Sequence, residues 1–248
     1  MIALRPEDIL HKSYMDRLLI ELIDNPHVSQ YLAFKGGTCA AMLGFLDRFS
    51  VDLDFDLLDK TQAAKLREEF HIIFKKLSFT VAKEYDKILF FQVKYPHENR
   101  GQRNTLKISA HDIPAAANDY TVAYFKEIDR LMKSQTIETM FANKLVAVTD
   151  RYAKYKTIAG RDIFDIHHFF MQGYKYKGAI IQERTGLQPN EYIIRLIAFI
   201  RKYLTQTVIS EDLNTLLPAD HFQQVRKVLL PETILFLENE HQHQTHLL

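Results

Sequence analysis

The pattern of apolar and polar positions predicts that the chain begins as a mixture of helices and strands. Residues 9–23 have apolar side chains at helical spacing, and the short apolar run 31–34 ends at a Gly-Gly turn. The pattern also predicts helices at residues 39–46 and 61–77, strands at 52–58, 80–85, 88–95 and 105–111, and a polar loop at 97–103. This order indicates an α+β fold with helices packed on a mixed sheet.

From about residue 134 the period becomes helical. We expect helices at residues 136–152, 161–172, 177–185, 191–203, 211–216 and 222–237, followed by a frayed tail from residue 241. Residues 115–118 and 121–125 are ambiguous. Because no Gly/Ser-rich linker divides the chain, the change of period alone places the boundary between a core of residues 1–133 and a C-terminal helical domain of residues 134–248.

Three acids follow one another at every second position of a predicted strand. Asp52, Asp54 and Asp56 share one face, because side chains two apart on a strand point the same way. The other face, with Leu53, Phe55 and Leu57, is apolar and predicted to be buried. Like charges on a buried strand are costly unless a cation lies among them, and Mg²⁺ suits carboxylate oxygens. The simpler alternative is a solvated edge strand.

A Gly-Gly-Thr turn precedes the acidic strand. Gly36 and Gly37 leave backbone N–H groups accessible at the start of a predicted helix, where a phosphate can bind. The Thr38 hydroxyl could cap that helix or add a donor to the phosphate. Most such turns are purely structural, but a phosphate-binding turn next to an Mg²⁺ site is what a phosphoryl or nucleotidyl transferase requires.

Composition narrows the setting of the protein. Of 248 residues, 47% are apolar, which is enough for a sizeable core, and the net charge of +1 gives no overall basic field for nucleic acid. The single cysteine, Cys39, excludes an internal disulfide. No apolar run approaches about 18 residues and the start does not resemble a signal peptide, so we expect a cytoplasmic protein without a membrane segment.

Two pairs of charged residues, one basic and one acidic, lie on the later predicted helices. Lys144 and Arg151 share a helical face and could neutralise a triphosphate, although a solvated basic face is the commoner meaning of this spacing. Asp162 and Asp165 are three residues apart, and Asp165 is expected to pair with Lys144 or Arg151.

A small basic and aromatic patch occurs between two of the later predicted helices. It consists of Tyr174, Lys175, Tyr176 and Lys177 and could stack on RNA bases, or it could be a polar turn between the helices.

The chain resembles a known family at three separated places. Lys35-Gly36-Gly37-Thr38 followed by residues 48–55 (RFSVDLDF), then Lys144 ahead of Asp150-Arg151, then residues 161–165 (RDIFD), look like the signature of the AbiEii/AbiGii toxin family of nucleotidyltransferases. The resemblance covers roughly residues 30–170. It implies a DNA polymerase β-like nucleotidyltransferase core followed by a helical region.

The resemblance also implies roles for residues of the signature. Asp52 and Asp54 are predicted to hold Mg²⁺, or Mn²⁺, and to act in catalysis together with Lys144 and Asp165. The nucleoside triphosphate (NTP) is predicted to contact residues of all three motifs: Gly36, Gly37, Thr38, Arg48, Ser50, Lys144, Arg151 and Asp162.

The chain departs from the family where a third metal-binding carboxylate is usual. Ser109 occupies that position on the strand at residues 105–111, and Asp112 at the end of the strand lies in the opposite alternation. Either Asp56 or Asp112 completes the site, or two acids suffice, or metal binding is weakened.

The family implies transfer of a nucleoside monophosphate (NMP) from an NTP to an RNA, such as tRNA, or to a protein. It also implies that the protein is the toxin of a toxin–antitoxin or phage-defence pair, with a cognate antitoxin encoded alongside. The missing carboxylate leaves open a catalytically weak or inactive nucleotide sensor of the same fold. A kinase-like phosphotransferase, which differs in the phosphorus attacked, is a third reading.

Overall fold

The structure, a computed structural model, describes residues 5–96 and 103–246. It divides into two compact units. The first holds the residues up to Pro114 together with Asp119–Thr136, and the second holds Ala115–Asn118 and the residues from Ile137 onward. The last strand of the first unit continues past the sequence-based boundary at 133/134, so the two halves separate a few residues later than the change of period indicated.

The first unit is a mixed sheet with helices, as the sequence predicted. Its helices are α1 (Pro6–Asp24), α2 (Pro26–Tyr31), α3 (Gly36–Met42) and α4 (Ala63–Lys76), the last preceded by a 3-10 turn at Lys60–Gln62. Its strands are β1 (Leu32–Lys35), β2 (Asp52–Leu57), β3 (Thr80–Tyr85), β4 (Leu89–Lys94), β5 (Thr105–His111), β6 (Tyr120–Phe125) and β7 (Arg130–Gln135). The strand order is β3-β4-β5-β2-β1-β7-β6, so the acidic strand β2 is central.

The apolar face of the central strands builds the core of this unit. Phe34 of β1 stacks on Phe55 of β2 with ring centroids 5.2 Å apart, and Phe70 of α4 stacks on Phe91 of β4 at 5.1 Å. All four rings are fully buried. Because side chains alternate along a strand, burying this face turns the acids of β2 to the opposite face. The alternative of a solvated edge strand is therefore wrong.

A buried histidine fastens α1 to the start of the acidic strand. His11 Nε2 lies 2.9 Å from the carbonyl oxygen of Val51, immediately before β2, and Nδ1 lies 3.0 Å from the hydroxyl of Tyr95. Burial lowers the pKa of His11, although the bond to Val51 opposes this, and burial raises the pKa of Tyr95 to about 12. Both side chains are therefore neutral near pH 7 and act as structural ties.

The second unit is helical, as predicted. Its helices are α5 (Ile137–Tyr155), α6 (Gly160–Met171), α7 (Gly178–Thr185), α8 (Pro189–Tyr203), α9 (Gln206–Leu213) and α10 (Ala219–His246). The expectation of a frayed tail from residue 241 is wrong for the described residues, because α10 runs through Pro231 to His246. None of the helices in the described part of the chain has the length and apolar character needed to cross a membrane.

Two strands and one short helix were not predicted. The pattern left residues 121–125 ambiguous and gave no strand at 130–135, where the structure has β6 and β7. Val122, Tyr124 and Leu131 are apolar but exposed, so the sequence of these strands lacks a clear alternation of apolar and polar residues. Helix α1 ends at Asp24, and the unpredicted helix α2 begins two residues later at Pro26, capped by Asn25. Except for Arg103, the predicted loop at 97–103 lies outside the described residues.

Candidate active site

The Gly-Gly turn lies directly against the acidic strand. A Cβ atom added to Gly36 would be 3.0 Å from Oδ2 of Asp54, and one added to Gly37 would be 2.8 Å from Nη2 of Arg48 and 3.0 Å from Oγ of Ser50. Gly36 also has a φ of +79°, a backbone conformation that residues with a Cβ rarely adopt. The structure thus brings together five of the residues predicted from sequence: Gly36, Gly37, Arg48, Ser50 and Asp54.

Strand pairing fixes the surroundings of Asp54. Asp54 is opposite Lys35 of β1 and opposite Ser109 of β5, so the three side chains share one rung and one face of the sheet. The Ser109 hydroxyl donates a hydrogen bond of 2.6 Å to Oδ1 of Asp54. The other carboxylate oxygen, Oδ2, faces Gly36. A serine therefore orients Asp54 on the strand where the resemblance implied a third carboxylate.

Thr38 has a different role from the one expected. Its side chain is buried, and its hydroxyl donates a hydrogen bond of 2.5 Å to the backbone carbonyl of Asp52. Helix α3 begins at Gly36, so Thr38 lies inside the helix and does not cap it. Because a hydroxyl has one proton, this bond leaves none to donate to a phosphate. Thr38 instead fastens the turn to the first residue of β2.

Arg48 is also buried, with 3% of its surface exposed. Its Nη1 donates to the carbonyl oxygen of Phe49 at 3.0 Å, and its Nη2 lies beneath Gly37. The guanidinium therefore brings a fixed positive charge to the underside of the turn, where it favours an anion through space.

Asp56 is bonded to protein donors. Its buried carboxylate accepts hydrogen bonds from Lys35 Nζ (2.5 Å), the Tyr120 hydroxyl (2.9 Å) and Gln135 Nε2 (2.6 Å). Tyr120 and Gln135 form a pair between β6 and β7, beside β1. These three partners bond both oxygens of the carboxylate, so Asp56 serves the structure of the sheet. Sequence reasoning missed Tyr120 and Gln135 because it did not predict their strands.

The carboxylates of this site suit an Mg²⁺ ion that takes most of its ligands from phosphates and water. Within residues 5–96 and 103–246, no three histidine, cysteine, aspartate or glutamate side chains come close enough together to hold a metal ion. Asp52 and Asp54 are half-buried on one face of β2, whereas Asp112 lies one residue past the end of β5. Mg²⁺ usually takes one or two carboxylates and completes its shell with phosphates and water. The pair Asp52 and Asp54 matches that demand.

The charged residues of the second unit form a cluster of their own. Lys144 Nζ lies 3.0 Å from both Asp162 Oδ1 and Asp165 Oδ2, and Arg151 Nε lies 2.9 Å from Asp162 Oδ2. The predicted salt bridge between Asp165 and Lys144 is confirmed. Burial would raise the pKa of Asp162, but the charges and hydrogen bonds of Lys144 and Arg151 outweigh it and hold that pKa well below its usual range.

Comparison with known proteins decides the family. The model of a family described as the nucleotidyl transferase AbiEii toxin of type IV toxin–antitoxin systems matches residues 17–228. This chain belongs to the AbiEii nucleotidyltransferase toxin family. No curated protein matches the chain.

Two solved structures share the fold of this AbiEii-family chain. A proposed nucleotidyltransferase from H. pylori is 21% identical with a TM-score of 0.62, and the match covers 99% of each chain. JHP933 from Helicobacter pylori is 20% identical with a TM-score of 0.60, and the match covers 98% of this chain and 97% of that chain. At this level of identity the likeness concerns the fold. It supports the predicted nucleotidyltransferase-like core followed by a helical region.

The contact between the turn and Asp54 predicts a cost for adding one methyl group to Gly36. We expect Gly36→Ala to lower the free energy of unfolding by about 1–2 kcal/mol for the positive φ, and further because Asp54 must move. Gly44→Ala is the matched control in the same unit, since Gly44 has a φ of +78° and open space at its Cβ position. Urea unfolding measures both. Equal losses in the two variants would contradict the close approach.

The buried cluster predicts a large effect of neutralising Asp162. Asp162→Asn removes the shared partner of Lys144 and Arg151, so we expect a loss of about 3–5 kcal/mol in urea unfolding. Asp150→Asn is the matched control, because Asp150 pairs with Arg184 but is 56% exposed, and about 0–1 kcal/mol is expected.

The buried cluster also predicts that the stability difference between wild type and Asp162→Asn depends on pH. Because the pKa of Asp162 is lowered by folding, its contribution is fully present above its unfolded pKa of about 4 and is lost as the pH falls towards the lower folded pKa. The difference in stability between wild type and Asp162→Asn should therefore narrow when urea unfolding is repeated below pH 4. A difference that widens in acid would contradict this assignment.

Proposed function

We propose that the protein is a Mg²⁺-dependent nucleotidyltransferase that transfers NMP from an NTP to an acceptor. One observation carries the proposal: the Gly36–Gly37 turn lies against the Asp54 carboxylate, with Oδ2 of Asp54 3.0 Å from where a Gly36 Cβ would be. A phosphate seated at the turn would therefore lie within reach of a carboxylate-bound cation. The absence of side chains at Gly36 and Gly37 lets Asp54 and Arg48 lie this close to the turn.

Each residue of the first-unit site has a part in this proposal. The N–H groups at the start of α3 would bind phosphate oxygens, with the positive charge of Arg48 beneath them. Asp52 and Asp54 would hold Mg²⁺, or Mn²⁺, and Ser109 would orient Asp54. The bound cation would supply charge neutralisation for the triphosphate. Ser50 would add a hydroxyl beside Gly37.

In the transfer itself, an acceptor oxygen forms a bond to the α-phosphorus while the bond to pyrophosphate breaks. The family places this chain among toxins of type IV toxin–antitoxin systems. We propose an RNA acceptor, such as tRNA, or a protein acceptor, and a cognate antitoxin encoded alongside. Phosphate binding by Lys144 and Arg151, with Asp162 and with Asp165 orienting Lys144 or helping to activate the acceptor, stays a prediction from the resemblance. In their own unit these residues balance one another's charges.

A nucleotide sensor of the same fold is the second candidate. The observation that favours it is Ser109, which donates a neutral hydrogen bond to Asp54 at the position of the usual third acid. Two carboxylates attract a cation less strongly than three, so binding without turnover is the expected behaviour of such a protein. Calorimetry that shows NTP binding, together with no transfer to any RNA or protein acceptor, would support this candidate.

The test of the first candidate is incubation with total RNA or protein and each α-labelled NTP, with and without Mg²⁺. We expect Mg²⁺-dependent incorporation by the wild type and a loss of about 100-fold or more in Asp54→Ala, because the cation loses a ligand. Asp86→Ala is the control, since Asp86 is an exposed acid in the turn after β3. It should match the wild type.

Three results would separate the alternatives. If Asp54→Ala transfers the α-label as well as the wild type does, the assignment of Asp54 to the site is wrong. Transfer from γ-labelled but not from α-labelled NTP would identify the kinase-like reaction. Incorporation by both wild type and Asp86→Ala, lost in Asp54→Ala while its circular dichroism is unchanged, would support the nucleotidyltransferase.

A further inference from the structure

A cleft in the helical unit has the size of a ligand site. It has a volume of about 590 Å³ and lies between the segment linking α6 to α7, the start of α8 and the end of α10. Ligand pockets in proteins are usually about 300–1,000 Å³. The cleft includes three of the four residues of the basic and aromatic patch noted in the sequence, and the proposed transfer reaction makes no use of it.

Aromatic rings form one wall of the cleft. Phe170, Tyr174 and Tyr176 line it, and Phe141 packs behind, 4.8 Å from the Phe170 ring and 5.6 Å from the Tyr176 ring. Gly173, with a φ of +70°, turns the chain after α6, and the Tyr174 ring lies 6.1 Å from the ring of Phe169. Rings held from behind give a rigid surface on which a flat group can stack.

Polar groups line the rest of the cleft. Glu240 accepts a hydrogen bond of 3.0 Å from the Tyr176 hydroxyl, and the amides of Gln188 and Asn190 lie at the start of α8, where Oδ1 of Asn190 contacts Nδ1 of His241. A carboxylate and two amides together offer both acceptors and donors. That is the combination needed to bond the edge of a nucleobase.

The rim of the cleft favours negative charge. Lys175 is exposed there, and both α7 and α8 begin at the cleft, at Gly178 and Pro189. Neither helix has a side-chain cap, and the positive end of a helix dipole attracts phosphate. Lys177 immediately precedes α7.

We propose that this cleft binds one unstacked nucleotide of a single-stranded nucleic acid. The aromatic wall takes the face of the base, the carboxylate and amides take its edge, and Lys175 with the two helix starts takes the adjoining phosphate. A peptide without acidic side chains would use the aromatic wall but not the anion-binding rim. This site goes beyond the proposed reaction, since binding here requires neither an NTP nor Asp54.

The test is fluorescence anisotropy with a labelled, unstructured 12-nucleotide RNA and a DNA strand of the same sequence. We expect Tyr174→Ala to raise Kd about 5- to 100-fold, because a stacked ring is lost, and Tyr174→Phe to bind like the wild type. Tyr155→Ala is the matched control, since Tyr155 is an exposed tyrosine (60%) at the end of α5 and outside the cleft. The DNA strand shows whether the 2′-hydroxyl contributes.

Further variants keep the test decisive. Lys175→Gln, on the rim, should weaken binding and reduce the slope of log Kobs against log salt by about 0.7, even if Tyr174→Ala fails to fold. Asp54→Ala should bind the strand like the wild type, which separates this site from the transferase. Unchanged affinity in folded Tyr174→Ala and in Lys175→Gln, or an equal loss in Tyr155→Ala, would overturn the proposal. So would displacement of the strand by a peptide alone but not by mononucleotides.

Discussion

Three like charges on one face of a central strand are the constraint on which the first unit depends. Asp52, Asp54 and Asp56 cannot all be buried without compensation, and the structure treats each of them differently. Asp56 is buried among Lys35, Tyr120 and Gln135. One oxygen of Asp54 accepts a hydrogen bond from Ser109, and the other faces Gly36. Asp52 begins the strand, and its backbone receives Thr38.

The sheet order follows from the same demand. Strand β2 lies between β1 and β5, which bring Lys35 and Ser109 to the rung of Asp54. The pair of β7 and β6 extends the sheet beyond β1 and supplies the neutral donors that Asp56 still needs. The innermost acid is stabilised by a lysine, a tyrosine and a glutamine, whereas Asp52 and Asp54 are half-buried on the same face of the strand. A structural network and a candidate metal site are thus adjacent on one strand.

The helical unit handles its charges by the same logic. Asp162, only 1% exposed, is placed between Lys144 and Arg151, so its ionised form is retained in spite of burial. Removing one partner of a buried ion pair destabilises a protein by more than the intact pair stabilises it. The cluster therefore fixes how α5 and α6 pack against each other. The aromatic cleft lies where α6 ends, and its lining joins aromatic rings to Lys175 and Glu240.

The sequence by itself determined the local relationships of the candidate site. The period of two places Asp52 and Asp54 on one face, the glycines mark a turn just before a helix, and the helical spacing places Lys144 and Arg151 on one face, since each of these depends on neighbours along the chain. Tertiary structure alone decided what each acid does. Asp56 acquired partners 21 to 79 residues away in sequence, and the Thr38 hydroxyl donates its hydrogen bond to the backbone carbonyl of Asp52 and does not cap a helix. Strand register and burial set those partners, and neither is encoded in a local period.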